Sequence, residues 1–316
     1  MSNEVLHLEI DATMAGRRLD QVLAALLPSY SRVRIQQWIK DGQVTIASQV
    51  PRQRDKVSLG QIVEINVPEE EEIPWQAEEI KLNIIFEDEH LIVTEKPAGL
   101  VVHPGAGNYS GTLLNALLHH DPGLAKLARA GIVHRLDKNT SGLLVVARNE
   151  AARLSLIQQL QDRSLKREYL TVVQGTIIAG GEINQPIGRH FRDRTKMAIT
   201  PSGKPALTTY RVSEKYRQHT LLKVNLSTGR THQIRVHMAF IKHPVLGDPV
   251  YGGRLKLPKN ITEEFRDILT GFKRQALHAQ KLGLVHPKTA ENMTWESPVP
   301  EDMKCLISAL KSDSRQ

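Results

Sequence analysis

One polar segment of the sequence combines the residue types that acid–base or nucleophilic chemistry uses. Residues Gly131–Gly142 place His134, Arg135, Asp137 and Lys138 close together, and an apolar run follows them directly. A carboxylate among cations beside a core strand costs free energy unless its groups are paired or used. The segment is therefore either a loop whose polar groups are used in function or a capped, salt-bridged turn, and composition alone favours the turn.

Two further clusters have the residue types that bind an anion. In Ser227–His237, Arg230 follows a glycine just after a predicted strand, where a fixed guanidinium can hold a carboxylate or phosphate through two hydrogen bonds. The segment Arg189–Lys196 carries five basic or histidine side chains against one acid, which fits a nucleic-acid contact loop and a solvated surface equally well. Tyr169, which opens a strand, is either a half-buried core residue or part of a site.

Several common cofactor motifs are absent from the sequence. It contains no Walker loop and no G-x-G-x-x-G turn, so the usual cradles for nucleotides are missing. His232 and His237 are five residues apart without an H-E-x-x-H pattern, and Cys305 is the single cysteine. We therefore expect neither a metal nor a cofactor.

The charge of the chain is concentrated in its C-terminal part. The 316 residues contain 42 Lys and Arg against 34 Asp and Glu, and residues 96–316 alone hold 33 against 17. A polyanionic partner is the natural hypothesis, because cations that neutralise phosphates release counterions. A basic enzyme without such a partner fits the charge equally well.

The sequence shows no sign of export or membrane insertion. Glu4, Glu9 and Asp11 exclude a signal peptide, and no apolar run approaches the ~20 residues of a membrane helix. The single cysteine suits a reducing compartment. We expect a cytoplasmic protein that does not contact membranes.

An acidic run divides the chain. Glu69–Glu72 lies between Pro68 and Pro74, so residues 69–79 are predicted to be a linker. Residues 1–68 contain two segments with apolar residues at helical spacing, the second capped by Ser31, and short segments in which apolar residues alternate. These patterns predict a small α/β domain. Residues 80–316 form the predicted catalytic domain. Its strands and helices do not alternate regularly, which favours an α+β fold with a mixed, mainly antiparallel sheet.

The local patterns of the larger domain predict particular elements. Residues 84–86 and 91–94 predict a hairpin, and Thr112 is expected to cap a helix. Residues 143–147 predict a buried strand, followed by a helix through Leu154, Ile157 and Leu160. Further strands are predicted at 169–173, 208–212 and 221–226.

Three blocks of the sequence carry a family resemblance. His134–Asp137, Gly229–His237 and Gly247–Gly252 resemble the RNA pseudouridine synthases of the ribosomal large-subunit type. The blocks Val102–Asn108, Leu114–His119 and Arg274–Ala279 extend the match. The first seventy residues resemble the alpha-L (S-four-type) RNA-binding domain through Arg18–Asp20 and Ser31-Arg32, although Ala47-Ser48 replaces the usual Asn-Gly turn.

The resemblance implies roles for individual residues. Asp137 matches the essential carboxylate, Tyr169 the tyrosine against the uracil, and Arg230 the basic partner of the aspartate. Arg135 matches an arginine that helps to open the RNA. We expect RNA contacts from the cationic and histidine side chains of the matched and basic segments: Arg135, His134, Lys138, Arg189, Arg192, Arg194, Lys196, Arg18, Arg32 and Arg34.

The implied reaction is an isomerisation of uridine to pseudouridine. The bond from base N1 to ribose C1′ breaks and a bond from C5 to C1′ forms, so no cofactor is required. The resemblance implies large-subunit rRNA or a pre-ribosomal particle as partner, a target in the helix 69 stem-loop, and a monomeric enzyme. A non-catalytic rRNA-binding or assembly protein is the competing reading, and an RNA methyltransferase is a third, although the sequence offers no glycine-rich site for its methyl donor.

Overall fold

The computed structural model describes residues 4–27, 30, 32–67, 75–105, 107–255 and 257–314. The chain divides into two compact units, residues 1–74 and residues 75–316. The predicted acidic linker at Glu69–Glu72 and the predicted cap Ser31 lie outside the described residues. Within the described ranges no helix is both long and apolar enough to cross a bilayer.

The N-terminal unit is a three-stranded antiparallel sheet with two helices. Its elements are β1 (Glu4–Glu9), α1 (Leu19–Leu26), α2 (Arg32–Lys40), β2 (Val44–Ile46) and β3 (Ile62–Val67), with strand order β1-β3-β2. Both helices bury their apolar stripe in one core that includes Leu23, Ile35 and Trp38. The sequence predicted both helices and the last two strands, but not β1.

The turn after β2 retains a hairpin geometry without the Asn-Gly pair. Ala47 and Ser48 have φ of 48° and 62°, and Ile46 and Gln49 exchange backbone hydrogen bonds of 2.9 and 3.0 Å. Two successive residues with positive φ are typical of a type I′ turn. The change to Ala-Ser therefore places non-glycine residues in a conformation that they rarely adopt, while the turn itself persists.

The second unit is built on a nine-stranded mixed sheet. Its elements in chain order are β4 (Asn83–Glu87), β5 (Leu91–Lys96), α3 (Leu113–His120), β6 (Ser141–Ala147), α4 (Glu150–Gln161), β7 (Lys166–Gln174), β8 (Gly181–Asn184), β9 (Ile187–Arg189), β10 (Met197–Ile199), β11 (Leu207–Lys215), β12 (His219–Leu226), α5 (Gln233–Phe240), α6 (Glu263–Gly271), β13 (Leu277–Val285), β14 (Asn292–Glu296) and α7 (Glu301–Asp313). The strand order is β4-β5-β6-β13-β7-β12-β11-β8, with β14 also paired to β13 and a separate β9–β10 hairpin.

The sheet confirms the predicted α+β class. Among its described pairings only β6 and β13 run parallel, and the others are antiparallel. Thr112 caps α3 as predicted, since its hydroxyl accepts the N–H of Asn115. The helix α4 is also present, but it buries Ala152 and Leu156 and leaves Leu154 exposed.

Both faces of the central strand β6 are buried. Leu144 and Val146 pack in one core with helix α3, whereas Leu143 and Val145 pack in another with helix α4. A strand that is apolar on both faces reads as a continuous hydrophobic run, as residues 143–147 do. The polar segment before it is therefore anchored to the middle of the domain.

A glycine at the start of β6 permits the parallel pairing. Gly142 has φ of 116°, and a Cβ at this position would lie 2.3 Å from the carbonyl oxygen of Ala279. Ala279 is the register partner of Gly142 on one side and of Tyr169 on the other. The approach of β13 to Gly142 therefore sets the separation between the polar loop before β6 and Tyr169.

We expect Gly142→Ala to destabilise the protein by roughly 2–5 kcal/mol, because the methyl group meets backbone atoms and the residue has an unfavourable φ. Denaturant-induced unfolding measures the loss. Gly271→Ala is the matched control, since a Cβ there meets nothing within 4 Å. Equal stability of both variants would contradict this account of the strand pairing.

Candidate active site

The polar segment that contains Asp137 forms a tight loop, and the buried side chain of Lys96 donates a hydrogen bond to its backbone. The Nζ of Lys96 donates to the carbonyl oxygens of Lys138, Pro97 and Leu100 at 3.1, 2.7 and 2.9 Å. Burial lowers the pKa of Lys96 to about 7, although the charge of nearby Asp137 acts in the opposite direction. The N–H of Thr140 donates to the carbonyl of Asp137, which closes the turn. The backbone around Asp137 is therefore fixed independently of its side chain.

The side chain of Asp137 is paired with Arg235 of helix α5. Nη1 of Arg235 donates to Oδ2 of Asp137 at 3.0 Å, while Nε and Nη2 bind both oxygens of Asp248 at 2.7 and 2.9 Å. Arg235 and Asp248 are buried, whereas the Asp137 side chain is 16% exposed. Asp137 is thus the accessible end of a row of three charges.

The electrostatics of the buried pair, Arg235 and Asp248, favour the charged form of both groups. Burial alone would raise the pKa of Asp248, but hydrogen bonds and the charge of Arg235 hold it below its usual range. The N–H groups of Val250 and Tyr251 also donate to Asp248. The two carboxylates raise the pKa of Arg235 against the effect of burial.

The predicted pairing of Arg230 with Asp137 differs from the structure. Arg230 is half-buried and its Nε donates to the carbonyl of Pro205 at 3.2 Å, while Arg235 takes the position against Asp137. The reason is the left-handed residue His232, which turns the chain into helix α5, so that Arg235 falls on the inward face and Arg230 on the preceding loop. Arg230 does line the cavity described next, and its role there stays a prediction.

Asp137 and Tyr169 line one cavity of about 590 Å³. Among the described residues of its lining, Asp137 supplies the single carboxylate. Apolar side chains form part of the wall: Ile132, Val133, Leu136, Ile157, Leu160, Leu226, Ile234 and Leu277. Six arginines also line it: Arg129, Arg135, Arg163, Arg167, Arg230 and Arg235. The cavity combines an apolar surface suited to a flat ring with a strongly positive rim.

Tyr169 on β7 is buried in the main core and lines the cavity. Burial raises the pKa of its hydroxyl, and the charge of Asp137 adds to that effect. The side chain is therefore a neutral phenol at physiological pH. A neutral, rigid aromatic ring beside a carboxylate is suited to packing against a planar ligand.

His232 and Tyr251 complete the surroundings of Asp137, and the sequence did not assign either of them to the site. His232 Nε2 lies 3.9 Å from Asp137, and its Nδ1 shares a 2.8 Å hydrogen bond with the Tyr251 hydroxyl. That hydroxyl also accepts the N–H of Met197 in β10. The guanidinium of Arg235 stacks over the Tyr251 ring at 5.0 Å. The β9–β10 hairpin is thereby tied to the charged triad.

The remaining loop residues differ in their accessibility. His134 lines the cavity, but its Nε2 accepts the N–H of Val145, and burial, with the charge of Arg167, lowers its pKa to about 3. It is therefore a neutral imidazole rather than a cationic contact. Arg135 is exposed at the cavity, and Lys138 is exposed outside its lining.

The predicted RNA-contact segment Arg189–Lys196 joins β9 and β10. Two of its cations have internal partners: Arg189 donates to the carbonyl of Arg194, and Lys196 pairs with Asp193 at 3.3 Å. The ring of Phe191 is 81% exposed. It stacks on His190 with a centroid distance of 5.2 Å, and the guanidinium of Arg192 lies over the Phe191 ring, 5.0 Å from its centroid.

Two predicted contacts in the N-terminal unit are ion-paired. Arg18 and Arg32 bind the buried carboxylate of Asp20 at 3.0 and 2.6 Å, together with the amide of Gln36. Burial opposes ionisation of Asp20, but these hydrogen bonds lower its pKa to about 2. The outer parts of both arginines stay half-exposed, whereas the side chain of Arg34 lies outside the described residues.

The described part of the chain contains no group of three histidine, cysteine or acidic side chains placed to hold a metal ion. The cavity itself offers the carboxylate of Asp137, the arginine that donates to it, and the neutral side chain of Tyr169.

Comparison with known proteins gives consistent matches. A family model described as RNA pseudouridylate synthase matches residues 90–240, and an S4 domain model matches residues 17–63. Proteins named ribosomal large subunit pseudouridine synthase D from Xanthomonas campestris pv. campestris and Haemophilus influenzae are 52% and 51% identical over 300 and 314 residues. These alignments cover 95% and 99% of this chain and 91% and 97% of the relatives.

A solved structure supports the fold. Human RNA pseudouridylate synthase domain containing 4 aligns with a TM-score of 0.57 at 23% identity, covering 72% of this chain and 93% of that protein. The resemblance expected from the H-R-L-D and G-R-T-H-Q blocks is confirmed by the family and sequence matches. The chain belongs to the RNA pseudouridine synthases, which are isomerases, in the group of the large-subunit synthases D with an N-terminal S4 domain.

Proposed function

We propose that this enzyme converts uridines of large-subunit rRNA, in the helix 69 stem-loop, to pseudouridine, with Asp137 as the essential carboxylate. The enzyme acts as a cytoplasmic monomer on the rRNA or a pre-ribosomal particle. The names of its relatives support an rRNA substrate. The observation that carries the assignment of Asp137 is its position as the single carboxylate of a cavity that also contains Tyr169 and six arginines.

Asp137 acts on the glycosidic carbon. Breaking the bond from N1 to C1′ leaves positive charge on the ribose, which a nearby carboxylate stabilises or captures. The hydrogen bond from Arg235 orients that carboxylate. In the overall reaction, C5 gains the ribose and loses a proton, whereas N1 loses the ribose and carries a proton in the product.

Water must be kept from the activated ribose so that the detached uracil is recaptured. Glycosidases direct water with a second carboxylate. The cavity lining has no second carboxylate, and apolar residues such as Leu136, Ile234 and Leu277 form part of its wall. This composition supports isomerisation over hydrolysis.

Tyr169 holds the uracil ring. Its raised pKa disfavours the phenolate, so packing against the base is a better role for it than proton removal from C5. The target uridine must leave its stack to reach this position, at a cost on the order of a few kcal/mol. Arg135, exposed beside Asp137, is placed to fill the space that the base leaves.

Asp137→Asn is expected to bind the rRNA stem-loop with wild-type affinity and to form no detectable pseudouridine, because the amide cannot stabilise the charge at C1′. Release of tritium from uridine labelled at C5 measures turnover, and filter binding measures affinity. Turnover near the wild-type rate would refute the assignment. It would favour the competing interpretation, in which this side chain has no catalytic role.

The two arginines are expected to differ in their contribution to catalysis. Arg235→Lys should lower kcat by roughly 100-fold or more, because one ammonium cannot hold two carboxylates in the same fork. Arg230→Gln should lower it less than about tenfold, since Arg230 does not contact Asp137. Steady-state kinetics on the stem-loop, with thermal melting to verify folding, makes the comparison; a larger loss in Arg230→Gln would restore the pairing expected from the sequence.

The exposed Phe191 ring is expected to stack on an unpaired base of the RNA. Stacking contributes about 1–3 kcal/mol per base, so Phe191→Leu should weaken RNA binding by roughly 5- to 100-fold. Phe191→Tyr keeps the aromatic face and should bind as wild type does. Ile178→Ala, at another exposed apolar residue, controls for lost surface area. Equal binding by the Leu and Tyr variants would exclude base stacking.

A further inference from the structure

A second cavity adjoins the one that contains Asp137. Its volume is about 630 Å³, and it opens beside strands β7, β11 and β12. Four cations line it: Arg163, Lys166, Arg167 and Arg211. The other lining residues, apart from glycines, are neutral side chains of these strands and of the turn after β12: Thr209, Tyr210, Asn225, Leu226 and Ser227. No aspartate or glutamate belongs to its lining.

Arg167 lies between the two cavities and lines both of them. It is only 7% exposed, and its Nε is buried without a hydrogen-bond partner among the described residues. In the same part of the chain no carboxylate lies within 4 Å of its guanidinium. A buried cation without a counterion costs several kcal/mol, so this position calls for an external anion.

The backbone opposite Arg167 is shaped around the guanidinium. A Cβ at Gly229 would lie 2.8 Å from Nη1 of Arg167. Gly229 belongs to the turn that leads from β12 to Arg230, so the guanidinium is held against the edge of the catalytic cavity. The absence of a side chain at Gly229 leaves room for the charge at that point.

The position of Arg167 identifies the class of anion. Arg167 and Tyr169 are two residues apart on β7, so their side chains emerge on the same face of the strand, roughly 7 Å apart along it. In the proposed reaction Tyr169 packs against the uracil. An anion at Arg167 is therefore within one nucleotide of that base, and the anion that accompanies a nucleotide in RNA is its phosphodiester.

We propose that this second cavity binds a phosphodiester of the RNA strand that flanks the target uridine. The inference rests on the proposed function, because it uses the position of the everted base. Arg167 holds the phosphate nearest the base, and the exposed side chains of Lys166 and Arg211 extend the contact along the strand. The everted nucleotide is thereby fixed at two points, by its base and by its backbone.

The test uses a double variant that removes two exposed cations of the second cavity, Lys166→Gln with Arg211→Gln. Neither residue lines the cavity of Asp137. The control is Lys288→Gln with Lys304→Gln, which removes the same charge at exposed positions outside both cavities. Thermal melting confirms that both full-length proteins are folded.

The probe is the stem-loop RNA with a neutral methylphosphonate placed at each linkage around the target uridine in turn. Binding to the wild-type protein should weaken when one or two of the linkages that flank the target uridine are neutralised. The test variant should bind unmodified RNA at least about tenfold more weakly at moderate salt. The slope of log K against log salt concentration should become shallower by ~0.7 per lost contact. It should lose no further affinity when the linkage assigned to Lys166 and Arg211 is neutralised, but it should still lose affinity at the linkage nearest the base, which Arg167 holds. The control keeps the wild-type pattern at every linkage.

Two outcomes would overturn the proposal. One is a test variant that loses no more affinity than the control, which would reduce the effect to general charge. The other is a test variant that responds to every methylphosphonate as wild type does. Because these are binding measurements, they do not depend on turnover, and failure of Asp137 as the catalytic carboxylate is seen separately in the tritium assay.

Discussion

The candidate active site depends on one guanidinium shared by two carboxylates. Removing three charges from water costs several kcal/mol per ion, and this cost is offset only when the hydrogen-bonding groups are used. Arg235 directs Nε and Nη2 to Asp248 and Nη1 to Asp137. Asp248 receives two further backbone N–H groups. Because the buried pair is satisfied in itself, it can fix the third and most exposed charge, that of Asp137.

This triad joins segments that are far apart in the sequence, so the sheet must bring them together. Asp137 precedes β6, whereas Tyr169 lies on β7, and strand β13 runs between the two. Gly142, Ala279 and Tyr169 lie in register across these three strands. Two strand spacings of ~4.8 Å therefore separate the carboxylate loop from the tyrosine, and the close approach at Gly142 maintains that distance. Lys96 fixes the same loop from the opposite side.

The sequence predicted the elements whose signals are local. Apolar runs located strands β6, β7 and β12, and a capping residue located α3. The parallel pairing of β6 with β13 had no such signal, because strand partners far apart in the chain are chosen by packing. The strand β1 was missed for the same reason, since its pairing partner β3 lies far from it in the chain.

The sequence identified which segments form the site, but it did not identify which of their side chains contact one another. The segment with two arginines, Arg230 and Arg235, leaves open which one faces the carboxylate, and a left-handed His232 decides it. One signal was present: Arg235 lies between Ile234 and Val236, and a cation in such a position on a helix needs a buried acid. For His134, neither composition nor motif indicates that burial makes the side chain neutral.

The positive charge of the chain is used in two ways. Arg18, Arg32 and Arg235 are neutralised by carboxylates of the protein and hold its structure in place. Apart from Arg235, the arginines around the two cavities form no ion pair with a described carboxylate, so in the free enzyme they repel one another across a partly apolar surface. A polyanion relieves that repulsion when it binds. The same cations that oppose folding of the empty site therefore favour the RNA complex.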